Sequence, residues 1–365
     1  MNASGTAGRL LVGLAVLALL GGCATSASPT PAPATPTAAS LPSEAIATPA
    51  PTATTTATPA PTPSVVVTSG LAYEASNPVL VPGTLDVYAP AEAGAWPAVV
   101  MLHGAPGSDP ATDRAYLGWY ARRLAELGFV VFNASWGHEP GGASERPTFD
   151  GLLATQSQVA CAVEFARSHA AEYGGDPATM IVFGHSGGAH GAAMIAFARP
   201  EPTAGCLGGA TLGAIDALVT WEGNWLLSVN YPDWDGALAA DPRVMDAVTP
   251  WTYLAGHEDQ KVVMLVSENP GAVFEREVGG PWAADSWLAP RDPSGDLRRQ
   301  LEANGAFADG TLDFVEVQQL LFSVLNAQGN PVSLDVMPGS THTSLSEAGW
   351  EVFLAAFGKA AATGD

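Results

Sequence analysis

The twelve residues 179–190, TMIVFGHSGGAH, decide the fold of this chain. The run that ends at His185 is apolar and predicts a buried strand, and the alanine-rich segment from Gly188 predicts a helix. Between them, GHSGG at 184–188 matches the pattern Gly-x-Ser-x-Gly. A chain with 40 glycines can show this pattern by chance, but its position between a strand and a helix makes it far more specific. Ser186 is therefore predicted to stand exposed on a sharp strand-to-helix turn.

An exposed serine in such a turn is a candidate nucleophile. A serine hydroxyl attacks poorly unless it is paired with a base, and its attack on a carbonyl creates an oxyanion that backbone N–H groups must stabilise. Gly187, directly after Ser186, is predicted to supply one N–H. The second is expected from HGAPG at 103–107, which follows a near-continuous apolar strand. There we predict Ala105, because Pro106 has no N–H.

A candidate base follows the last predicted strand. The chain has seven histidines, and His342 is the one that lies between this strand and the closing helix. A loop in that position can reach over the carboxyl edge of the sheet to the serine. His342 also agrees with the chain order serine, acid, histidine that is typical of one hydrolase fold.

The acid that orients the histidine is expected after the strand Val262–Ser267. Glu268 is the first carboxylate there, and its role would be to hold the imidazole in one tautomer and to stabilise its charged form. Asp309 and Asp313 remain alternatives, because they lead into the next predicted helix and could reach the same point.

Working outward, the chain from Val65 onward alternates short strands rich in β-branched residues with longer helical patterns. This alternation predicts an α/β fold with a mostly parallel central sheet and helices on both faces. Val65–Glu74 and Gly83–Pro90 predict an opening antiparallel hairpin. Further strands are predicted at about Trp96–Gly104, Phe129–Trp136, Thr179–His185, Ala217–Trp221, Val262–Ser267 and Val332–Val336, and helices at about Tyr116–Leu127, Gly151–Tyr173, Gly188–Ala198, Phe314–Ala327 and Leu345–Phe357. One domain, 65–365, with a polar insertion at about 269–310, accounts for these elements.

The first 22 residues have the pattern of an export signal. Arg9 precedes the apolar run Leu10–Leu20, which is too short to span a bilayer. The run ends in LGGC at 20–23, which resembles the lipobox of bacterial lipoproteins with Cys23 as the lipidated residue. We therefore expect export and lipid anchoring on the outer face of the bacterial cell membrane. An ordinary signal peptide with an incidental cysteine is the alternative.

Residues 23–64 are almost entirely Ala, Thr, Pro and Ser. Such a composition cannot bury enough apolar surface to offset the entropy lost on ordering. We predict that this segment is a semi-extended tether.

The net charge of the chain limits the partners that we expect. A charge of −22 would repel phosphate backbones and anionic membranes. We therefore expect no nucleic-acid partner, and contact with a membrane only through the lipid anchor.

Two cysteines, Cys161 and Cys206, remain once Cys23 is set aside. In an oxidising compartment this pair permits a disulfide, with two buried free thiols as the alternative.

With these motifs in place, the chain from Val65 onward resembles the α/β-hydrolase superfamily. The closest resemblance is to the acetyl- and feruloyl-esterase-like carboxylesterases and the related arylformamidases. It is carried by GTLDVYAP at 83–90, AAEYGGDP at 170–177, GHSGG at 184–188 and VTPWTYL at 248–254. In formamidase-like members the acid directly precedes a small residue and a proline, which supports Glu268 before Asn269 and Pro270. The chain departs from many relatives in having HGAP at 103–106, where they have HGGG or HGGA.

The expected reaction is the two-step hydrolysis of a small-molecule carboxylic ester through an acyl-enzyme. No metal or organic cofactor is expected. Two alternatives stay open: hydrolysis of an amide or formamide by the same residues, and a tethered binding protein that kept the fold but lost activity.

Overall fold

The structure, a computed structural model, describes residues 64–106, 109–141, 149–223, 225, 246–270, 299, 302–303 and 314–362. The expected signal at 1–22, Cys23, the tether up to residue 63, nearly all of the insertion, Asp309 and Asp313 lie outside the described residues. No helix among the described residues is long and apolar enough to cross a membrane.

An eight-stranded, mostly parallel β-sheet forms the centre of the domain. Its strands are β1 (Val65–Ala72), β2 (Thr84–Pro90), β3 (Trp96–Leu102), β4 (Val130–Ala134), β5 (Gly175–His185), β6 (Ala217–Trp221), β7 (Lys261–Ser267) and β8 (Val332–Met337). They lie in the order β1-β2-β4-β3-β5-β6-β7-β8. β1 and β2 form the expected antiparallel hairpin, and β2 is also antiparallel to β4. All remaining pairs are parallel, which confirms the predicted sheet.

Helices cover both faces of this sheet. The long helices in the described part of the chain are α1 (Pro110–Glu126), α2 (Phe149–His169), α3 (Gly187–Phe197), α4 (Phe314–Gln328) and α5 (Glu347–Ala361). One hydrophobic core contains side chains of α1 and α5, and the other contains side chains of α2, α3 and α4. The central strands are buried on both faces, which is why their sequences are continuous apolar runs.

Helix α1 begins six residues before the predicted start at Tyr116. The carboxylate of Asp109 accepts hydrogen bonds from the N–H groups of Ala111 and Thr112, and Pro110 occupies the first turn. An N-cap aspartate followed by proline is a strong helix-start signal. The helix therefore starts directly beside the loop after β3, at the edge where the parallel strands end.

The expected disulfide joins Cys161 in α2 to Cys206 in the loop after α3. Cys161 is fully buried, and Cys206 forms an isolated β-bridge with Glu74. The bond thereby ties α2 to the segment that follows α3. α3 itself begins directly after Ser186.

Candidate active site

Ser186 lies at the junction of β5 and α3, on the predicted turn. Its φ is 53°, a left-handed conformation that is unfavourable for any residue other than glycine. A Cβ at Gly184 would lie 2.1 Å from the carbonyl oxygen of Gly188. A Cβ at Gly188 would lie 2.2 Å from the carbonyl oxygen of His103. Both glycines are therefore required by close backbone approach, and together they hold the serine in its strained turn.

The two expected oxyanion donors lie side by side next to the serine. A Cβ at Gly187 would lie 3.1 Å from the backbone nitrogen of Ala105. A Cβ at Gly104 would lie 3.6 Å from the Cβ of Ser186, so the loop after β3 passes directly over the nucleophile. The structure thus brings Ser186, Gly187 and Ala105 together, as the sequence predicts.

His103 holds the conformation of the loop after β3 through hydrogen bonds to the backbone. Its Nδ1–H donates to the carbonyl oxygen of Gly104 at 2.9 Å, and its Nε2 accepts from the N–H of Trp136 at 3.3 Å. The ring is buried and stacks on Trp136, with 5.1 Å between the ring centroids. Burial lowers the pKa of His103 to about 4, although nearby Asp113 opposes this effect. The neutral ring can therefore make both hydrogen bonds at once.

His342 follows β8, and among the described residues Glu222 places a carboxylate against its imidazole. Nδ1–H of His342 donates to Oε2 of Glu222, whose side chain is completely buried. The other oxygen, Oε1, accepts from the N–H of Ser267 at 2.7 Å. Glu222 is thus held through both carboxylate oxygens. Its contact with Nδ1 leaves Nε2 of the neutral imidazole as the proton acceptor.

The structure does not place Glu268 at the imidazole, which corrects the expected position of the acid. Glu268 is exposed, and its Oε2 accepts from the N–H of Gly339 at 2.6 Å. Its own N–H donates to the carbonyl of Met337 at 3.1 Å. Glu268 therefore holds the turn ahead of His342, while the acid contact comes from Glu222. Asp309 and Asp313 lie outside the described residues.

The reason for this difference lies in the sheet order. β6 lies between β5 and β7. A residue directly after β6 therefore reaches the same edge of the sheet as Ser186 after β5 and the loop with His342 after β8. Glu222 is such a residue, because it directly follows the buried strand that ends at Trp221. The sequence signal was therefore present: a carboxylate directly follows β6, just as Glu268 directly follows β7.

Residues 338–346, the loop that carries His342 (the base loop), lie against the turn at Ser186 (the serine turn). Nε2–H of His185 donates to the carbonyl oxygen of His342 at 2.7 Å, and the two ring centroids are 4.5 Å apart. Because His185 directly precedes Ser186, this contact links the candidate nucleophile and the candidate base. A second buried histidine also donates to a distant backbone carbonyl: Nε2–H of His190 in α3 donates to the carbonyl oxygen of Val248 at 2.6 Å.

Among the described residues, one group has ligand types and spacing that could hold a metal ion: His103, Asp113 and His138, whose ligand atoms lie within 4.8 Å of one another. Nε2 of His138 pairs with Oδ2 of Asp113 at 2.9 Å. Both ring nitrogens of His103 already bond to the backbone. A metal ion would have to replace these contacts, so we assign the group to the support of the loop after β3.

Comparison of the sequence with known families gives one match. The family model BD-FAE matches residues 85–212. This range contains Ala105, Ser186 and Gly187 but ends before Glu222 and His342. Among curated proteins, none matches the chain.

Several solved esterases share the fold. An esterase from the planctomycete Thermogutta terrifontis with bound butyrate is 15% identical, with a TM-score of 0.53, covering 82% of this chain and 93% of that one. A truncated carbohydrate esterase from gut microbiota is 16% identical, with a TM-score of 0.55, covering 82% and 97%. Esterase B from Lactobacillus rhamnosis is 15% identical, with a TM-score of 0.54, covering 81% and 85%. With its mostly parallel eight-stranded sheet and covering helices, this protein has the α/β-hydrolase fold.

Proposed function

We propose that this protein is a serine hydrolase of the carboxylesterase type, with Ser186 as nucleophile, His342 as general base and Glu222 as the acid. The observation that carries the proposal is the contact between His342 and the buried carboxylate of Glu222, in a loop that lies against the Ser186 turn. A nucleophile, a base and an orienting acid on three loops at one sheet edge are the parts that serine hydrolysis requires.

In the first half of the reaction, Nε2 of His342 takes the proton of the Ser186 hydroxyl as Oγ attacks the ester carbonyl carbon. Glu222 stabilises the imidazolium that forms and keeps the ring in one orientation. The negative charge on the carbonyl oxygen is stabilised by the N–H groups of Gly187 and Ala105. The tetrahedral intermediate collapses when the C–O bond to the alcohol breaks and His342 returns its proton to the alcohol oxygen.

In the second half, water replaces the alcohol. His342 removes a proton from the water as its oxygen attacks the acyl carbon, and the same backbone donors stabilise the second oxyanion. The bond between the acyl carbon and Oγ of Ser186 then breaks, and Oγ regains its proton from His342. The products are one alcohol and one carboxylic acid, and the enzyme is unchanged.

The neighbouring folds support ester bonds as the substrate class. One of these proteins is described as an esterase with bound butyrate and another as a carbohydrate esterase. These descriptions guide the choice of substrates. Short-chain esters are therefore the first substrates to test, followed by acetylated sugars and aryl formamides.

The test uses the chain from residue 24 to 365, which omits the expected signal and Cys23. Hydrolysis of nitrophenyl acetate and nitrophenyl butyrate is measured for the wild type and Ser186→Ala. We expect wild-type turnover and a loss of about 10³-fold or more in the variant. Equal rates in the two proteins would contradict the proposal. An inert but folded wild type, tested also on an aryl formamide, would favour a binding protein instead.

We also propose that the protein is exported and anchored through a lipid on Cys23. The support comes from the lipobox-like LGGC at 20–23 and from the disulfide between Cys161 and Cys206, a bond typical of oxidising compartments. In a bacterial host, the full chain and Cys23→Ser are compared by labelling with a fatty-acid analogue and by membrane fractionation. Lipid label on the full chain but not on the variant is expected. Label on neither protein would leave an ordinary signal peptide.

A further inference from the structure

His185 is a buried titratable side chain that the proposed proton transfers do not use. It is 3% exposed, and its ring lies among three others. The ring centroids of Trp221, His342 and Tyr116 lie 4.4, 4.5 and 5.7 Å from that of His185. Because it stands between the serine turn and the base loop, its chemistry can affect how the two are placed.

The protonation of His185 follows from its surroundings. Burial, followed by the neighbouring His342, lowers the pKa of His185 to about 3, despite the opposing effect of its hydrogen bond to the His342 carbonyl. The ring is therefore neutral at any pH near neutrality and carries a single N–H. Because Nε2 faces a carbonyl oxygen, the proton must lie on Nε2.

The other ring nitrogen of His185, Nδ1, agrees with a proton on Nε2. Nδ1 is buried and makes no hydrogen bond with the described part of the chain. A buried polar atom without a partner costs free energy. Within the described part of the chain, the hydrogen bond that the ring makes is therefore the one from Nε2–H to the carbonyl oxygen of His342. Apolar packing alone would be served equally well by phenylalanine at this position.

We propose that His185 is a positioning residue, whose Nε2–H holds the backbone of the general base His342 in place over the serine turn. This inference rests on the proposed function. Because His185 is covalently joined to Ser186, one hydrogen bond fixes the base relative to the nucleophile. His185 occupies the first x of the Gly-x-Ser-x-Gly pattern, and this position thus has a specific role in placing the base.

Glu222 holds the imidazole of His342, and three further contacts hold the residues beside His342 in the loop. Glu268 binds Gly339, the N–H of Asn269 donates to the carbonyl of Ser340 at 3.0 Å, and Thr341 pairs with Ser344. His185 instead holds the carbonyl of His342 itself. Small displacements of a catalytic group can cost large factors in rate, so the loss of this hydrogen bond should lower kcat.

Two substitutions separate the hydrogen bond from the packing. His185→Phe keeps a flat ring of similar size but removes the donor. His185→Gln removes the ring but keeps an N–H donor at the position of Nε2. A residue that merely fills space would tolerate phenylalanine better than glutamine, whereas a positioning donor would tolerate glutamine better than phenylalanine.

The experiment measures kcat and KM for nitrophenyl butyrate on residues 24–365, together with thermal unfolding. Titration of Ser186 with a fluorophosphonate, carried to completion, gives the concentration of reactive sites, and the unfolding transition shows whether each variant is folded. For His185→Phe we expect kcat to fall by about 10- to 100-fold with KM within about twofold. For His185→Gln we expect kcat to recover to within about fivefold of the wild type.

The inference is overturned if His185→Phe keeps wild-type kcat, or if folded His185→Gln loses as much kcat as folded His185→Phe. If the phenylalanine variant does not fold, His185→Met, which also lacks a donor, takes its place against glutamine and the same criteria apply. Failure of the proposed function gives a different result, since either the folded wild type would be inert or Ser186→Ala would be as active as the wild type.

Discussion

Nδ1–H of His342 donates a hydrogen bond to Oε2 of Glu222, a residue 120 positions earlier in the chain. The carboxylate is buried, and its second oxygen is held by the N–H of Ser267 at 2.7 Å. The contact therefore joins the ends of β6, β7 and β8 at the edge where β5 delivers Ser186. Such a buried, doubly held carboxylate is well suited to fix the orientation of an imidazole.

Replacement of Glu222 should be far more damaging than the same replacement of Glu268. Glu222→Gln keeps the size of the side chain but loses the negative charge that stabilises the imidazolium, so kcat should fall by about 10²- to 10⁴-fold. Glu268→Gln keeps an oxygen that can accept from Gly339, so it should remain within about threefold of the wild type. Initial rates on nitrophenyl butyrate give the comparison. The acid would have to be reassigned if the two losses were reversed.

The backbone N–H of Ala105 is predicted to be required for oxyanion stabilisation. Ala105→Pro removes this donor and should lower kcat by about 10²- to 10³-fold with little change in KM. Ala105→Ser keeps the N–H and serves as the control for changes at this position. Steady-state kinetics and thermal unfolding are measured for both. Equal kcat in the proline and serine variants would show that the donor lies elsewhere.

Glycines of the serine turn should not accept a side chain. Gly188→Ala would place a methyl group 2.2 Å from the carbonyl oxygen of His103, so we expect a loss of about 3 kcal/mol or more in the free energy of unfolding, or no folding. Gly191→Ala, three residues later in α3, meets Val159 at an ordinary 3.6 Å and should be neutral or stabilising by up to about 1 kcal/mol. Urea unfolding tests the pair. Similar midpoints would argue against the close backbone approach in the structure.

Loss of the disulfide should lower stability more than activity. Cys161 and Cys206 are separated by 45 positions, and closing a loop of that size restricts the unfolded chain by roughly 4 kcal/mol. Cys161→Ala together with Cys206→Ala should therefore lower the unfolding midpoint, while kcat at 25 °C stays close to the wild type. Denaturant unfolding with and without a reductant provides the measurement. An unchanged midpoint in the double variant would mean that the bond does not form in solution.

Stability should fall on mild acidification because three buried histidines stay neutral in the folded protein. Burial lowers the pKa of His103, His185 and His190 to about 4, 3 and 4, whereas in the unfolded chain each is near 6.5. Below pH 6.5 the unfolded chain therefore binds more protons than the folded one. The free energy of unfolding should decrease as the pH falls from about 6.5 to about 4, by on the order of 2 kcal/mol per histidine at pH 5.

This pH dependence is measured by urea unfolding at several pH values. His190→Gln keeps an N–H donor near the carbonyl of Val248 but removes one titrating group, so its slope against pH should be shallower than that of the wild type. A wild-type stability that stays constant between pH 7 and pH 5 would show that these rings are protonated equally in the folded and unfolded states.

The sequence alone was sufficient for the parts of this protein that depend on local pattern. The apolar run before Ser186, the glycines around it and the helix after it predict the turn, because burial and close backbone approach leave few other residues possible. The parallel sheet, the opening hairpin and the cysteine pair were likewise predicted and are present in the structure. The catalytic roles of Ser186, Gly187, Ala105 and His342 remain predictions, now with a geometry in which these residues can act.

The tertiary structure was needed to identify the carboxylate at the imidazole. Glu222 and Glu268 each directly follow a buried parallel strand, and nothing in the local sequence says which one faces His342. That choice depends on the order of the strands and on a buried contact between residues 120 positions apart. The same holds for His185, whose hydrogen bond to the base joins residues 157 positions apart. Local pattern decides which segments become strands, turns and helices, but side-chain partners across the sheet edge are fixed only when those segments pack.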